Sequence, residues 1–141
     1  MILFCDTSAL IKLYLKEVHS AEVQALAAGS KGVVVARIAW AEMMAALARR
    51  VREHPADAEA IETLRTRMRH DWPAFAMIEI TQALVQQAGE FADTFALRGY
   101  DSVQLAAAHQ IHTATSEALC FACFDTRLKK SAKALGMQVL E

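Results

Sequence analysis

The sequence predicts a three-layer α/β/α domain with a central, mainly parallel five-stranded sheet. Three observations carry this prediction. Short apolar runs recur along the chain, and the first, second and fourth lack polar alternation, as strands covered on both faces do. Stretches of helical periodicity, single or paired, separate them, the pattern of a parallel sheet with right-handed crossovers. The 141 residues hold no linker, low-complexity stretch or internal repeat, so one domain is expected over residues 1–141.

The elements follow in order. ILFC at 2–5 is the first strand, and the next helix spans 8–16, where Leu10, Ile11, Leu13, Tyr14 and Leu15 recur at helical spacing. A short helix over 20–28 stops at Gly29. The second strand is 33–36, and an Ala- and Met-rich helix covers 38–52. Pro55 stands where a first-turn proline is tolerated and opens a helix to about residue 70. The third strand is 76–80. Helices over 81–97 and 102–113 follow, with Gly99 between them. The fourth strand is 119–124, the last helix 126–135 ends at Gly136, and 137–140 closes the sheet.

Composition narrows the function. Hydrophobic residues make up 55% and charged residues 22%, which fits a globular domain rather than a disordered one. A net charge of −1 excludes bulk electrostatic binding of nucleic acid, so any such contact uses local patches. Three cysteines are too few for a disulfide scaffold and favour a reducing setting. The first apolar run is four residues long and no run approaches the ~20 needed to span a bilayer. A cytoplasmic protein with no membrane segment is expected.

In parallel α/β domains, ligands bind beyond the carboxyl ends of the strands. Asp6 follows the first strand directly and Asp125 the fourth. Each could simply cap the helix it precedes. Asp101, in RGYDSVQLAAA, has Gln104 three residues on, as in a capping box. Glu42, in VVVARIAWAEMMAALA, reads as mid-helix and shares a face with Ile38, Ala39, Ala45 and Ala46. A carboxylate there is costly unless it is paired, protonated or bound to a cation, and Arg49 is one candidate partner. If the four acids converge, they cannot all stay ionised without compensation. An all-oxygen site of this kind suits Mg²⁺ or Mn²⁺. Phosphodiester hydrolysis by metal-activated water is its natural chemistry.

Four motifs together resemble the PIN-domain family, and more narrowly its VapC-type toxins: DTSAL at 6–10, Ala41–Glu42, LRGYDSVQLAAA at 97–108 and FDTRLKKSAKALGM at 124–137. The resemblance implies a PIN-like fold and a Mg²⁺- or Mn²⁺-dependent endoribonuclease. It implies an acidic site of Asp6, Glu42, Asp101 and Asp125, supported by the Ser8 hydroxyl. It further implies a homodimer, inhibited by a cognate antitoxin, that cuts RNA to leave 5′-phosphate and 3′-hydroxyl ends. One position departs from the pattern: Cys123 stands where many relatives carry Thr or Ser. Two alternatives sit beside this reading. One is a PIN-like nuclease of RNA processing with no antitoxin. The other is a non-catalytic module that keeps the fold, which the four intact acids disfavour.

Other features carry less. Cys120 and Cys123 are three apart in a strand, so their side chains face opposite ways and read as core. His112 shares a helical face with Asp101 but lies roughly 16 Å along the axis, too far to be a co-ligand. His109 and His112 read as surface or partly buried residues. Arg49, Arg50 and Arg52 end one helix and are candidates for gripping RNA phosphates, against the simpler reading of a solvated helix end. Trp40 reads as core.

Overall fold

The computed structural model describes residues 1–140. Five strands, β1 (Ile2–Cys5), β2 (Gly32–Ala36), β3 (Ala76–Ile78), β4 (Leu119–Ala122) and β5 (Gln138–Val139), form one sheet in the order β3-β2-β1-β4-β5. Every pairing is parallel, so the expected sheet is present and carries no antiparallel edge. From β1 the chain builds outward through β2 and β3, then crosses to the other side for β4 and β5. The order therefore reverses between β1 and β4, and the crevice of such a fold opens beyond their carboxyl ends.

The side-chain alternation of a strand divides the core in two. Phe4, Val34 and Phe121 point to one face, where they meet Leu84 and Phe91 of α5 (Gln82–Phe95), Leu105 of α6 (Gly99–Ala114) and Leu128 of α7 (Thr126–Ala134). Phe4 and Phe121 are register partners with ring centroids 5.5 Å apart. Leu3, Cys5 and Val35 point to the other face. There they pack on Leu10 of α1 (Thr7–Leu10), Val23 of α2 (Ser20–Gly29), Met43 and Leu47 of α3 (Ala39–Glu53), and Met68 of α4 (Ala58–Asp71). Cys120 belongs to this second core and Cys123 to the first, as their odd spacing requires. All three cysteines are free and buried.

Boundaries differ from expectation in ways that matter for the site. The helix expected over 8–16 is one α-turn, α1, followed by a 3₁₀ turn at Ile11–Leu13. Pro55 opens a 3₁₀ turn (Pro55–Asp57), and α4 proper starts at Ala58. β4 ends at Ala122, so Cys123 and Phe124 stand between it and Asp125, which does not follow the strand directly. Trp40 is only half-buried and packs edge-on against Trp72, 5.1 Å between rings.

The stop after α7 is a paired-bond C-cap. Gly136 N–H donates to Lys133 O at 2.9 Å and Met137 N–H to Ala132 O at 3.1 Å. Gly136 has φ +89°, a left-handed conformation that side chains resist, while an added Cβ would meet nothing nearer than His112 Nε2 at 3.6 Å. Gly136→Ala is therefore expected to cost backbone strain alone, roughly 1–2 kcal/mol. Urea unfolding of the two proteins measures it; equal midpoints would contradict this account of the cap.

Candidate active site

Asp6 is the centre of the site because β1 is the central strand and ends on it. The residue is 4% exposed. Its Oδ1 accepts from Ala9 N–H at 2.9 Å, capping α1, and from the Ser8 hydroxyl at 2.7 Å. Capping and a site role are thus compatible, and Ser8 supports the carboxylate directly. Burial raises the Asp6 pKa from its ordinary 3.8 to about 6, outweighing the lowering by the Ser8 and Ala9 hydrogen bonds, and the charges of Asp101 and Glu42 add smaller increases.

Glu42 comes from the adjoining β2 side. It sits in the first turn of α3, after Ile38 at the N-cap position, and not in mid-helix as its apolar surroundings imply. Its Oε2 accepts from the Thr7 hydroxyl at 2.8 Å. Arg49 is not its partner, being paired with Glu53 at 2.8 Å. Gln104, fully buried on α6, brings Nε2 within 3.4 Å of Thr7 Oγ1 and 3.5 Å of Glu42 Oε1, both long contacts. The Tyr100 hydroxyl is close enough to Glu42 to feel its carboxylate; burial first, then Glu42, drives its pKa upward. Thr7, Tyr100 and Gln104 are site residues that pattern reasoning missed. Thr7 adjoins Asp6 in DTS, and that adjacency was the one available signal.

Asp101 is inside α6, not before it. The helix begins at Gly99 with Arg98 at the N-cap position, so Gln104 does not close a capping box and is released to reach Glu42. In the first turn, the Asp101 carboxylate gains from the helix dipole. Its Oδ2 lies 3.3 Å from Arg98 Nη2, whose side chain is 81% exposed, so this ion pair is weak. Asp125 caps α7, accepting from Leu128 N–H at 2.9 Å. Asp101 and Asp125 line one cleft of about 560 Å³, together with Arg98, Phe124 and Arg127. Cys123 turns its Sγ toward the Asp125 backbone oxygen, 3.9 Å away, and offers the carboxylate no hydrogen bond. Its thiol is pushed up to about 12, chiefly by burial and then by Asp6, while Lys129 pulls it the other way.

Asp6, Glu42 and Asp101 are thus electrostatic neighbours, with Asp125 across the cleft from Asp101. Among the described residues no three His, Cys, Asp or Glu side chains are gathered into a ready metal cage. Thr7, Ser8, Arg98 and the Leu128 amide each contact one of the four carboxylates. The structure does not bring Arg49, Arg50 or Arg52 to this cluster. Arg49 and Arg50 are spent on Glu53 and Asp57, and all three lie roughly 10–15 Å along α3 from Glu42. On the β2–β3 side, one residue from Glu42, an apolar cleft of about 600 Å³ is walled by Trp40, Trp72 and Ile38. No helix among the described residues is long and apolar enough to cross a membrane.

Comparison with known proteins places this geometry in context. The PIN domain family matches residues 3–134. Ribonucleases VapC45 and VapC49 of Mycobacterium tuberculosis are each 33% identical over 138 residues, spanning 98% of this chain and 94% of theirs. The fold is shared with FitAcB from Neisseria gonorrhoeae (TM-score 0.69, 20% identity, 100% of this chain and 97% of that one). It is also shared with a toxin–antitoxin complex from Klebsiella pneumoniae (TM-score 0.65, 22% identity, 100% and 97%).

Proposed function

Because the chain belongs to the PIN-domain family, among its VapC-type ribonucleases, we propose that it is the toxin of a type II toxin–antitoxin pair and cuts RNA at the cluster of Asp6, Glu42, Asp101 and Asp125. The observation that carries this reading is Asp6: a buried carboxylate at the carboxyl end of the central strand, forced to share its surroundings with Glu42 and Asp101. Capping accounts for Asp6 alone, but not for placing Glu42 and Asp101 beside it. Their repulsion is the resting cost of a site built for a cation.

The donor chemistry of the four acids suits Mg²⁺ or Mn²⁺. All four donors are carboxylate oxygens. Gln104 Oε1, beside Glu42, is buried without a hydrogen-bond partner among the described residues, a polar atom that a hydrated ion in the cluster would satisfy. Asp6, Glu42, Asp101 and Asp125 would hold the ion. When bound, it supplies Lewis-acid polarisation of a phosphate oxygen and eases deprotonation of water. The chain's own contributions are distinct. Ser8 and the Ala9 amide fix the Asp6 carboxylate; Thr7 fixes Glu42; Asp125 keeps α7 anchored on the far wall of the cleft. Asp6, with its pKa raised to about 6, is mostly ionised at physiological pH and so available to a cation, while at lower pH a proton competes for it.

The homodimer, the cytoplasmic location and the cognate antitoxin belong to the same proposal. The Klebsiella relative was solved as a toxin–antitoxin complex, and the apolar cleft beside Glu42 offers a protein partner somewhere to dock. Calorimetric titration with MnCl₂ tests the site. The wild type is expected to bind, and Asp6→Asn combined with Asp101→Asn to give dilution heat only. Equal binding by both proteins would move the ion elsewhere.

A further inference from the structure

The acid cluster repels phosphate, so an RNA-cutting site of this design needs cations within reach of its cleft. We infer that Arg127 and Lys129, on the first two turns of α7, grip phosphates of the RNA strand flanking the bond to be cut. This rests on the ribonuclease reading and adds to it where the strand lies.

The placement comes from three observations. Arg127 lines the same cleft as Asp101 and Asp125, and its guanidinium is anchored by donating to Ala96 O at 2.9 Å. That acceptor is a neutral carbonyl, so the positive charge remains uncompensated. The Lys129 ammonium lies 5.6 Å from the centroid of Phe124, another wall of the cleft, and near enough to Cys123 to act on its thiol together with Asp6 and Asp125. Neither cation has a carboxylate partner among the described ion pairs; Arg52, Lys16 and Lys130 also have none there, but they do not line this cleft or touch Phe124. A solvated helix face accounts for exposed, paired cations; here one unpaired cation lines the acidic cleft and a second sits over the aromatic ring of its wall.

Phe124 organises this rim. His19 stacks on it (centroids 5.3 Å, 15° between planes), and Lys12 approaches it at 4.7 Å while Glu17 stands 3.5 Å from the Lys12 ammonium. With Lys12 partly balanced and largely buried, Arg127 and Lys129 are the charges left to meet a ligand. A phosphodiester chain is the polyanion that carries one group into the acid cluster and the next onto this rim.

The test measures binding and cleavage separately. In an Asp6→Asn background, which keeps the RNA intact, Arg127→Gln with Lys129→Gln is titrated against a short labelled single-stranded RNA. Each phosphate contact contributes a salt slope of about 0.7, or about fivefold in affinity near 0.1 M salt, so the pair is expected to weaken binding about 25-fold and flatten the slope by about 1.4. Lys31→Gln, which removes one positive charge as Lys129→Gln does but at the amino ends of the strands, is expected to bind like its parent. In the otherwise wild-type chain the double variant should raise KM and spare kcat. Lys129→Gln alone, which leaves the Ala96 anchor intact, should show about half the effect on a logarithmic scale. Affinity equal to that of Lys31→Gln overturns the inference and leaves the rim to a protein partner. Parent protein that cleaves RNA while the variants are unchanged sinks this inference alone; parent protein that neither binds nor cleaves RNA sinks the ribonuclease reading with it.

Discussion

Asp6→Asn is expected to lower Mg²⁺-dependent RNA cleavage by roughly 10³-fold or more while leaving the fold intact. The size follows from what is removed: charge stabilisation worth several kcal/mol, at about 1.4 kcal/mol per tenfold in rate. The selectivity follows from what is kept. An Asn side-chain oxygen still accepts from the Ala9 amide and the Ser8 hydroxyl, so α1 keeps its cap. The negative charge alone disappears. Cleavage of a labelled RNA by purified protein, with circular dichroism as the folding control, reads the result. Undiminished cleavage by the folded variant would falsify the assignment of Asp6. Thr7→Ala offers a graded companion, since it frees Glu42 without removing an acid.

The same substitution is expected to make the metal-free protein more stable near neutral pH. The sign follows from the raised pKa. In the unfolded chain Asp6 ionises near 3.8, in the fold near 6. Below 3.8 both states hold the proton and nothing is lost. Between 3.8 and 6 the unfolded chain releases it first, so stability falls as pH rises, and above 6 the full deficit remains. At about 1.4 kcal/mol per pH unit the deficit is of the order of 3 kcal/mol. Denaturant unfolding in EDTA at pH 7.5 should show Asp6→Asn more stable by an amount approaching this, and the two proteins should converge toward pH 4. A wild type that is the more stable at pH 7.5 in EDTA contradicts the electrostatic account. Adding Mn²⁺ should reverse the order, because only the wild type gains from binding it.

Much of the layout was legible because burial on both faces leaves a plain mark: ILFC, VVVA and LCFA are apolar without alternation, and all three are strands of one parallel sheet. The cysteine separation, too, follows from strand geometry alone. What was not legible depends on contacts between distant elements. Glu42 looked mid-helix because α3 lacks a capping side chain to mark its start. Asp101 looked like a cap because Gly99 and Tyr100 gave no sign that the helix would take them in. Gln104 looked like the closing half of a capping box, yet it reaches Glu42 and Thr7, 62 and 97 residues away in sequence. The acids are encoded in motifs. The hydroxyls and amide that aim them follow from topology, and no periodicity announces them.

The three buried thiols have a use that their inertness conceals. Cys5 and Cys123 are fully buried and Cys120 nearly so, with proton affinities raised chiefly by burial and two of them committed to opposite sides of the sheet. A thiol reagent therefore finds nothing to attack in the native fold, and the sheet itself separates Cys123 from Cys5 and Cys120. Cys5 is one residue from Asp6, so the bond it would form with a reagent becomes available only when the strand carrying the site comes apart. Labelling time then reads out the lifetime of the closed domain, with Cys5 and Cys120 clocking one layer and Cys123 the other.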